Sequence, residues 1–487
     1  MRKYIIVFGL AAPVVLVAQI ALMAYWLSGF GAPAIERRVP HAGERPTDDG
    51  STETLVAVNT GTLVSGQAKP ARLPGLWPQF RGPGRDASSP PGATLPAKLP
   101  GELPVLWKIT VGEGHAGVAI RNGRVYIHDY DRERSEDAIR CLSLADGGEI
   151  WRWTYHVKVK RNHGMSRTVP AVTDKYLLAL GPKCHVTCLD ANTGERKWAI
   201  DLVREHGTTV PPWYAGQCPL IDDWGEGDTA IIAPGADPMI MAVGLESGDI
   251  LWKTPNPGGW KMSHTSIMPM DYRGERQYIY AALRGVIGVR ASDGAVRWRH
   301  DGWGNKISAV PSPVVIDENR VFLSGGYNAG CSMIRLKGEP GAMEIEELWR
   351  QKPNVFGSEQ HTPVLHNRLL YSVIPPNTAH AGQLACIDPD GKRLWASGAQ
   401  LRFGLGPYTL VGGRLLVLDD RGGDLHAFRP AGARTEHLAE WHVLDGHDAW
   451  APIAVGGGLI IFRDLTQLVC LDISGRSTPA PAVGEGR

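Results

Sequence analysis

The side chains best suited to binding chemistry stand near the start of a strand that the chain repeats eight times. They lie two residues before a strand proline, or before the residue that replaces it, and they are His115, Thr168, Gln217, His264, Pro311, His361, Tyr408 and Trp450. Arg167 and Gln360 are immediate neighbours of two of these positions. Imidazole, guanidinium and amide groups supply hydrogen bonds, and imidazole can also hold a metal ion. We therefore expect a polar site where these strand starts converge.

Aromatic residues precede several of these positions in the connections that lead into the strands. They are Trp213, Trp260, Trp303, Phe356 and Phe403. Concave surfaces that combine aromatic rings with a few polar groups are the usual form of a binding site. The alternative is that the rings cover seams between repeats while the histidines bond to loop backbones. The sequence predicts a face with an aromatic rim that binds a ligand or partner, with this structural role as the alternative for each residue.

Neither a metal centre nor a catalytic group follows from the order of these residues. His115, His264 and His361 belong to different repeats, whereas a zinc ion needs its nitrogen ligands about 2.0–2.1 Å from one point. Catalytic triads and paired carboxylates are recognised by geometry, and linear order in a repeat fold does not supply it. We predict no metal and no catalytic residue.

The elements that position these side chains come from a repeat with a period in the forties. Its clearest form is Asp-x-x-Thr-Gly-x-x-x-Trp, as at residues 190–198. Successive repeat tryptophans lie 44, 47, 54, 46, 51, 46 and 46 residues apart, and they are Trp107, Trp151, Trp198, Trp252, Trp298, Trp349, Trp395 and Trp441. A period of this length, built from short strands and turns, is typical of a β-propeller.

Each repeat predicts four strands, which form one blade of the propeller. After Trp441 only three strands remain, and residues 105–109 from the N-terminal side supply the missing fourth. Five innermost strands carry a proline, which lacks the N–H for a two-sided ladder and is tolerated at the edge facing a central channel. These are Pro170, Pro219, Pro313, Pro363 and Pro452. The predicted fold is all-β, an eight-bladed propeller whose last blade is shared between both ends of the domain.

The regions outside the propeller differ from it in composition. Residues 4–30 carry no charge and follow Arg2 and Lys3, which predicts a transmembrane signal-anchor with residues 1–3 in the cytoplasm and the propeller outside it. A cleaved signal peptide is the alternative. We expect a flexible linker over residues 31–75, the propeller over 76–473 and a disordered tail over 474–487.

Charge and cysteine usage exclude two further classes of protein. The net charge of +1 gives no general attraction for nucleic acid. Four of the seven cysteines, at positions 141, 188, 386 and 470, occupy the same place in different repeats, where other repeats have alanine or glycine. Equivalent places in separate blades are too far apart to bridge. We predict a slot for a small residue rather than disulfides.

The tryptophan motif resembles the docking repeat of the pyrroloquinoline quinone (PQQ)-like propellers, over about residues 103–473. The run Trp-Pro-Gln-Phe-Arg-Gly-Pro at residues 77–83 is similar to the opening segment of membrane-anchored members. The resemblance implies one of two roles, because the family contains quinoprotein dehydrogenases and non-catalytic scaffolds similar to the propeller lipoprotein of outer-membrane assembly.

The likeness to the catalytic members is incomplete. The chain lacks the adjacent cysteine pair of the alcohol dehydrogenases and the Cys-x-x-Cys-His motif of a haem domain. A calcium-binding carboxylate cluster cannot be assigned from the sequence, because most acidic residues fall in turns. The predicted function is therefore non-catalytic: a periplasmic, membrane-tethered scaffold that binds protein or glycan partners without a cofactor. The alternative is a dehydrogenase that uses PQQ with calcium and passes electrons to the membrane.

Overall fold

The computed structural model describes Gln19, Met23 and residues 58–73, 75–223, 225, 227–304, 308–432 and 434–475. The chain divides into two compact units, Met1–Ser51 and Thr52–Arg487, and all strands belong to the second. The predicted membrane span, residues 4–30, lies outside the described residues except for Gln19 and Met23. Within the described part of the chain no helix is long and apolar enough to cross a membrane.

Three strands precede the first complete blade, and two short helical segments accompany the sheets. The strands are β1 (Thr62–Ser65), β2 (Leu76–Trp77) and β3 (Val105–Thr110). The helical segments are a 3-10 turn at Val58–Thr60 and α1 (Leu202–His206), which Asp201 caps by accepting hydrogen bonds from the N–H groups of Val203 and Arg204.

The next strands form four-stranded antiparallel blades in chain order. Blade 1 contains β4 (Val118–Arg121), β5 (Arg124–Asp131), β6 (Glu136–Ser143) and β7 (Glu149–His156), and blade 2 contains β8 (Ala171–Val172), β9 (Tyr176–Leu180), β10 (His185–Asp190) and β11 (Arg196–Asp201). Blade 3 contains β12 (Leu220–Asp222), β13 (Thr229–Ile232), β14 (Ile240–Gly244) and β15 (Ile250–Thr254). Blade 4 contains β16 (Met268–Tyr272), β17 (Glu275–Ala282), β18 (Gly285–Arg290) and β19 (Val296–His300). In each blade the first strand lies innermost.

The remaining strands complete the ring. Blade 5 contains β20 (Val314–Val315), β21 (Arg320–Gly325), β22 (Gly330–Lys337) and β23 (Glu344–Gln351), and blade 6 contains β24 (Val364–His366), β25 (Leu369–Val373), β26 (Leu384–Ile387) and β27 (Arg393–Ala396). Blade 7 contains β28 (Tyr408–Val411), β29 (Arg414–Leu418), β30 (Asp424–Arg429) and β31 (Glu436–His442). Blade 8 contains β32 (Ala454–Gly456), β33 (Leu459–Arg463) and β34 (Gln467–Asp472) together with β3. Blade 8 has the order β3-β34-β33-β32, so its outer strand comes from the N-terminal side. The predicted eight blades and their shared closure are confirmed.

Most repeat tryptophans donate a hydrogen bond to the next blade, whereas Trp298 donates to Gln277 within its own blade. The indole N–H of Trp198 in blade 2 donates to the carbonyl of Leu245 in blade 3 at 2.8 Å, and Trp252 donates to Ala291 of blade 4 at 2.9 Å. The turn glycine of the following blade lies against the same ring: a Cβ on Gly248 would stand 2.7 Å from Trp198 Cγ, and its φ of +79° also favours glycine. The tryptophan of one repeat and the turn glycine of the next repeat therefore form a contact between neighbouring blades.

The small-residue slot faces the tryptophan within its own blade. Cys141, Cys188 and Cys386 pair directly with Trp151, Trp198 and Trp395, where a bulky side chain would meet the indole. All seven cysteines are buried and free, in agreement with the prediction of no disulfide. Blades 5 and 7 depart from the pattern, because Met333 pairs with Trp349 and Leu425 pairs with Trp441.

The chain before blade 1 differs from the predicted linker. Strand β1 pairs with β7 at the outer edge of blade 1, and β2 pairs with β4 at its inner edge, which makes blade 1 a six-stranded sheet. The interpretation of residues 31–75 as flexible is thus wrong for β1. Edge pairing, which composition does not reveal, supplies the backbone hydrogen bonds that order this stretch.

Residues 77–89, called the plug segment here, cross the central channel. The Pro78 carbonyl accepts a hydrogen bond from the N–H of Val172, the last residue of β8, and the Ala87 carbonyl accepts one from Leu410 in β28. Both contacts are close to the ends of innermost strands, away from the blade-to-blade connections that lead into them. The plug segment therefore lies across the channel on that side. The opposite side, where the connections lead into the innermost strands, is called the mouth here.

Two buried arginines fix the plug segment to opposite parts of the ring. Arg81 donates to the carbonyls of Thr362 and Pro363 in blade 6, the latter at 2.9 Å. Arg85 donates to Cys218 at 3.2 Å and to Pro219 at 3.1 Å in blade 3. Burial lowers the pKa of each guanidinium to about 10, so both remain charged at neutral pH.

Candidate functional site at the channel mouth

A belt of hydrogen bonds circles part of the channel just before the innermost strands. The N–H of Val169 donates to the sulfur of Cys218, whose own N–H donates to Ser266 Oγ at 3.0 Å. The series continues in the same direction: the N–H of Ser266 donates to Ser312 Oγ, and the N–H of Ser312 donates to Thr362 Oγ1, each at 2.9 Å. This belt was not predicted from the sequence. Its signal was a cysteine, serine or threonine one residue before the strand proline position in four consecutive blades, two residues before each strand begins.

The belt corrects the register of the predicted mouth residues. Ser266 is equivalent to Cys218 and Ser312, so Thr265 rather than His264 lies two residues before the strand proline position. His264 stands one residue farther upstream, nearer the mouth. Gly114 and Ser166, the residues before His115 and Arg167, form a bridge with each other, so these two side chains share a level in neighbouring blades.

The three predicted histidines each carry a buried ring nitrogen that meets no hydrogen-bond partner in the described residues: Nδ1 of His115, and Nε2 of His264 and His361. The ring of His115 stacks on Trp450 with centroids 4.7 Å apart, and its Nε2 donates to the carbonyl of His163 at 2.7 Å. His264 Nδ1 lies 3.1 Å from Ser308 Oγ. The mouth thus holds three imidazoles whose hydrogen-bonding capacity is not fully used within the protein.

Burial keeps these imidazoles neutral. It lowers the pKa of His264 and of His361 to about 3, and the positive charges of Arg167 and Arg81 respectively lower them further. Nearby backbone carbonyls, those of Tyr214 and Leu405, partly oppose the shift. The pKa of His115 is likewise well below its ordinary value because the ring is buried.

These depressed pKa values predict a loss of stability in acid. The unfolded chain takes up a proton at each histidine near pH 6.5, whereas the folded chain does so at His264 and His361 only near pH 3, so stability falls as the pH drops through this interval. Between pH 7 and 5 each contributes a loss of roughly 2 kcal/mol. Urea unfolding at both pH values should show a smaller loss in His264→Gln than in the parent chain. His156→Gln, at an exposed histidine, is the control, and an equal loss in all three proteins would contradict the assignment.

Arg167 stands at the same level as His115 but is occupied by its own loop. Its guanidinium donates to the carbonyls of Gly164 at 3.2 Å and Asn162 at 2.7 Å. Burial lowers its pKa to about 10, and the side chain remains charged and partly exposed. Arg167 therefore orders the loop at residues 162–164 and places a positive charge beside two neutral histidines.

Other predicted mouth residues hold the scaffold together. Gln217 is buried and exchanges two hydrogen bonds with the backbone of Ala233, while Thr168 donates to Leu180 at 2.7 Å. The Tyr408 hydroxyl lies 3.2 Å from Ser372 Oγ. Pro311 is buried, and Gln360 is partly exposed beside Glu359. These contacts lie within the innermost part of each blade.

The aromatic rim is much smaller than predicted. Trp260 and Trp303 are only 6% and 4% exposed and lie under the guanidinium groups of Arg299 and Arg350. Phe356 and Phe403 are fully buried. The expectation of an exposed rim is wrong for these four residues, because the connections fold inward and place their rings against neighbouring strands.

Trp213 alone among the five predicted rim residues is partly exposed. Its ring stacks on Tyr327 with centroids 6.3 Å apart and an interplanar angle of 19°, and it lies 6.3 Å from the ring of His264. Trp213 comes from the connection between blades 2 and 3, whereas Tyr327 is in the turn between β21 and β22 of blade 5. Tyr327 was not predicted as a mouth residue, because this turn is not part of the tryptophan motif.

Comparison with solved structures finds the same architecture at low sequence identity. BamB from Moraxella catarrhalis is 13% identical, with 76% of this chain and 99% of that chain covered and a TM-score of 0.50. The quinohemoprotein alcohol dehydrogenase from Comamonas testosteroni is 13% identical, with 85% and 83% covered and a TM-score of 0.55. A second such enzyme, ADHIIG from Pseudomonas putida HK5, is 12% identical, with 87% and 85% covered and a TM-score of 0.53. These similarities show the fold alone.

A search of curated proteins found no match. A family model described as outer membrane protein assembly factor BamB, PQQ_2, matches residues 135–389, from β6 of blade 1 to the end of β26 in blade 6. The match covers more than half of the chain and includes five of the tryptophan turns that join the blades. This protein therefore belongs to the PQQ-like β-propeller family whose model carries the description outer membrane protein assembly factor BamB.

Proposed function

We propose that this protein is a non-catalytic scaffold that docks a protein partner at the channel mouth. The observation that carries the proposal is the pair Trp213 and Tyr327, which stack on one another, remain partly exposed and come from different blades. Tryptophan and tyrosine are the residues most enriched among those that dominate binding energy at protein interfaces. Because both are held by a rigid ring of blades, little conformational entropy is lost when a partner covers them.

The groups beneath the aromatic pair favour a polypeptide as the partner. His264 lies next to Trp213 and has an imidazole nitrogen without a partner that meets hydrogen-bond geometry. Arg167, in the connection that leads into blade 2, is charged and partly exposed, one blade away from Trp213. A peptide segment offers apolar side chains for the rings together with backbone amides for the imidazole. The plug segment limits how far such a segment enters, since Arg81 and Arg85 close the channel below.

The channel mouth suits the quinone-dependent alternative poorly. A calcium ion takes six to eight oxygen ligands, mostly from carboxylates and carbonyls. Among the described carboxylates near the mouth, Glu359 accepts a hydrogen bond from the N–H of Tyr327, and Asp420 Oδ2 accepts one from the Trp450 indole at 2.6 Å. Asp420 Oδ1 is buried and meets no hydrogen-bond partner in the described residues, so it is one oxygen that a cation could use. Burial raises the pKa of both, which disfavours the charged form that calcium needs. These raised pKa values and the small number of free carboxylate oxygens support the non-catalytic proposal over a calcium-bound quinone.

The place of action follows from the sequence outside the propeller. We propose that residues 4–30 anchor the chain in a membrane and that Arg2 and Lys3 hold the N-terminus in the cytoplasm. The propeller would then face the periplasm or the cell exterior. The family description, an outer membrane protein assembly factor, is compatible with this side of the membrane. A scaffold held at the membrane meets membrane-associated proteins at raised effective concentration.

Replacing both members of the aromatic pair tests the docking proposal. We expect Trp213→Ala combined with Tyr327→Ala to lower partner recovery by about tenfold or more, the loss typical of removing dominant interface residues. Recovery is measured by cross-linking the full chain in its native membranes, with a purified partner titrated once it is identified. Tyr176→Ala, a partly exposed tyrosine in β9 away from the mouth, is the matched control.

The melting temperature separates docking from stability. It should change little in the double variant, because both rings remain partly exposed. A large drop would mean that the pair is structural, and unchanged recovery would place docking elsewhere. Saturable binding of a glycan instead of a protein would contradict the proposed partner class. Heat on titration with PQQ and calcium would favour the dehydrogenase.

A further inference from the structure

Two histidines and a glutamate converge on the outer strands of blade 7. His426 Nδ1 in β30 lies 3.2 Å from His437 Nε2 in β31 and 3.4 Å from Glu440 Oε2 in the same strand. The three ligand atoms all lie within 4.8 Å of one another. Among the described residues, no other group of three histidine, cysteine, aspartate or glutamate side chains is arranged closely enough to hold a metal ion. None of the three belongs to the channel mouth or to the tryptophan motif.

A β-bulge brings the three side chains to one face. Residues three apart in a regular strand point to opposite faces, so His437 and Glu440 would be separated by alternation. In blade 7 the pairing shifts between Ala427 and Phe428, where Leu438 is the additional residue of β31. His437 then pairs with Phe428 and Glu440 with His426, two residues apart on β30. Bulges commonly redirect a side chain in this manner.

The distances match the edges of a tetrahedral metal site. Ligand atoms bound about 2.0–2.1 Å from a zinc ion are about 3.3–3.4 Å apart when the geometry is tetrahedral. Both distances measured from His426 Nδ1 agree with this value. Two imidazoles and one carboxylate form a donor set that zinc uses, with a fourth position for water or another ligand. His437 and Glu440 are exposed, which leaves that position accessible.

The surroundings of His426 favour a metal ligand. Its ring is buried between Phe403, with centroids 5.1 Å apart, and Phe428, with centroids 6.3 Å apart. This packing fixes the ring, so that its Nδ1 points toward the two exposed side chains.

We propose that His426, His437 and Glu440 bind a divalent transition-metal ion, with zinc preferred, which cross-links β30 and β31. The other explanation of the same contacts is a hydrogen bond between the two imidazoles with no metal involved. The site is independent of the docking proposal, since its residues lie on the outer half of blade 7.

Zinc titration of the full chain tests the site. Binding is measured in competition with a chromogenic chelator, in the parent chain and in His437→Gln and Glu440→Gln, two exposed positions whose replacement leaves the core packing intact. We expect one ion per chain with micromolar or tighter affinity. The zinc affinity of each variant should fall about a hundredfold or more. Removing a residue that only supports a ligand lowers affinity by a smaller factor, roughly 10- to 100-fold. His442→Gln, an exposed histidine of the same strand, should bind as the parent does.

Cobalt substitution distinguishes this site from casual surface binding. A four-coordinate cobalt ion at His426, His437 and Glu440 should give intense visible absorption that disappears in His437→Gln. Absence of zinc binding, or binding that both variants retain, would overturn the proposal. Weak absorption typical of a six-coordinate ion would do the same. Loss of binding in His442→Gln alone would assign the ion to the neighbouring Asp424 and Asp445 instead.

Discussion

Replacing Arg81 by methionine is expected to lower the free energy of unfolding by about 3–5 kcal/mol. Its guanidinium is buried and donates to four carbonyls, those of Arg85, Thr362, Asp86 and Pro363. Methionine has a similar length but leaves these acceptors without a donor. Each unsatisfied buried acceptor costs about 1–3 kcal/mol, which outweighs the gain from no longer burying a charge. Urea unfolding of the full chain measures the change.

The two arginines of the plug segment should differ in effect. Arg85 donates to Cys218, Pro219 and the side-chain oxygen of Gln79, while its Nε has no partner in the described residues. We therefore expect Arg85→Met to cost less than Arg81→Met. Arg132→Met, at an exposed arginine, should change stability by no more than about 0.5 kcal/mol. If all three variants unfolded alike, the plug segment would contribute nothing to holding the ring.

Trp198→Ala should also destabilise the propeller by about 3–5 kcal/mol. The ring is 8% exposed and packs between blades 2 and 3, and its N–H donates to Leu245 at 2.8 Å. Alanine would leave a cavity at a seam that neighbouring blades cannot close without moving as units. Thermal and urea unfolding measure the loss.

Two further substitutions separate the ring from its hydrogen bond. Trp198→Phe keeps most of the buried area but removes the donor to Leu245, and we expect a smaller loss, of about 1–3 kcal/mol. Trp395→Ala should cost less than Trp198→Ala, because Trp395 is partly exposed although it donates to Ala431 in the same way. Unchanged unfolding of Trp198→Ala would show that the tryptophan does not join the blades.

The number of blades and their closure followed from the sequence because both rest on local, repeated signals. The turn glycine and the tryptophan four residues later stand in one short stretch, and their period counts the blades. The three strands after Trp441 left one position open, which residues 105–110 fill. The small-residue slot was also predictable, since Cys188 and Trp198 face each other across a single hairpin.

The mouth was predicted less well because register within it depends on contacts between blades. Counting from a proline failed at His264, where isoleucine replaces proline and the belt through Ser266 sets the true alignment. The aromatic residues were located correctly in the connections, but only packing decides whether a ring points inward. Trp260 lies under Arg299, whereas Trp213 meets Tyr327 from a distant blade.

The sequence by itself determined the repeat, and with it the all-β ring of eight blades, the shared last blade and the set of connections that lead to the mouth. Only the tertiary structure decided what lies inside and across that ring. The motif at residues 77–83 was visible, yet its Arg81 and the nearby Arg85 bond to backbone carbonyls of residues more than a hundred positions away, and a carbonyl carries no side-chain signal. The same holds for His426 and His437, which a bulge places together. Periodic local contacts are encoded in short stretches, whereas singular contacts between distant stretches exist only once the ring has closed.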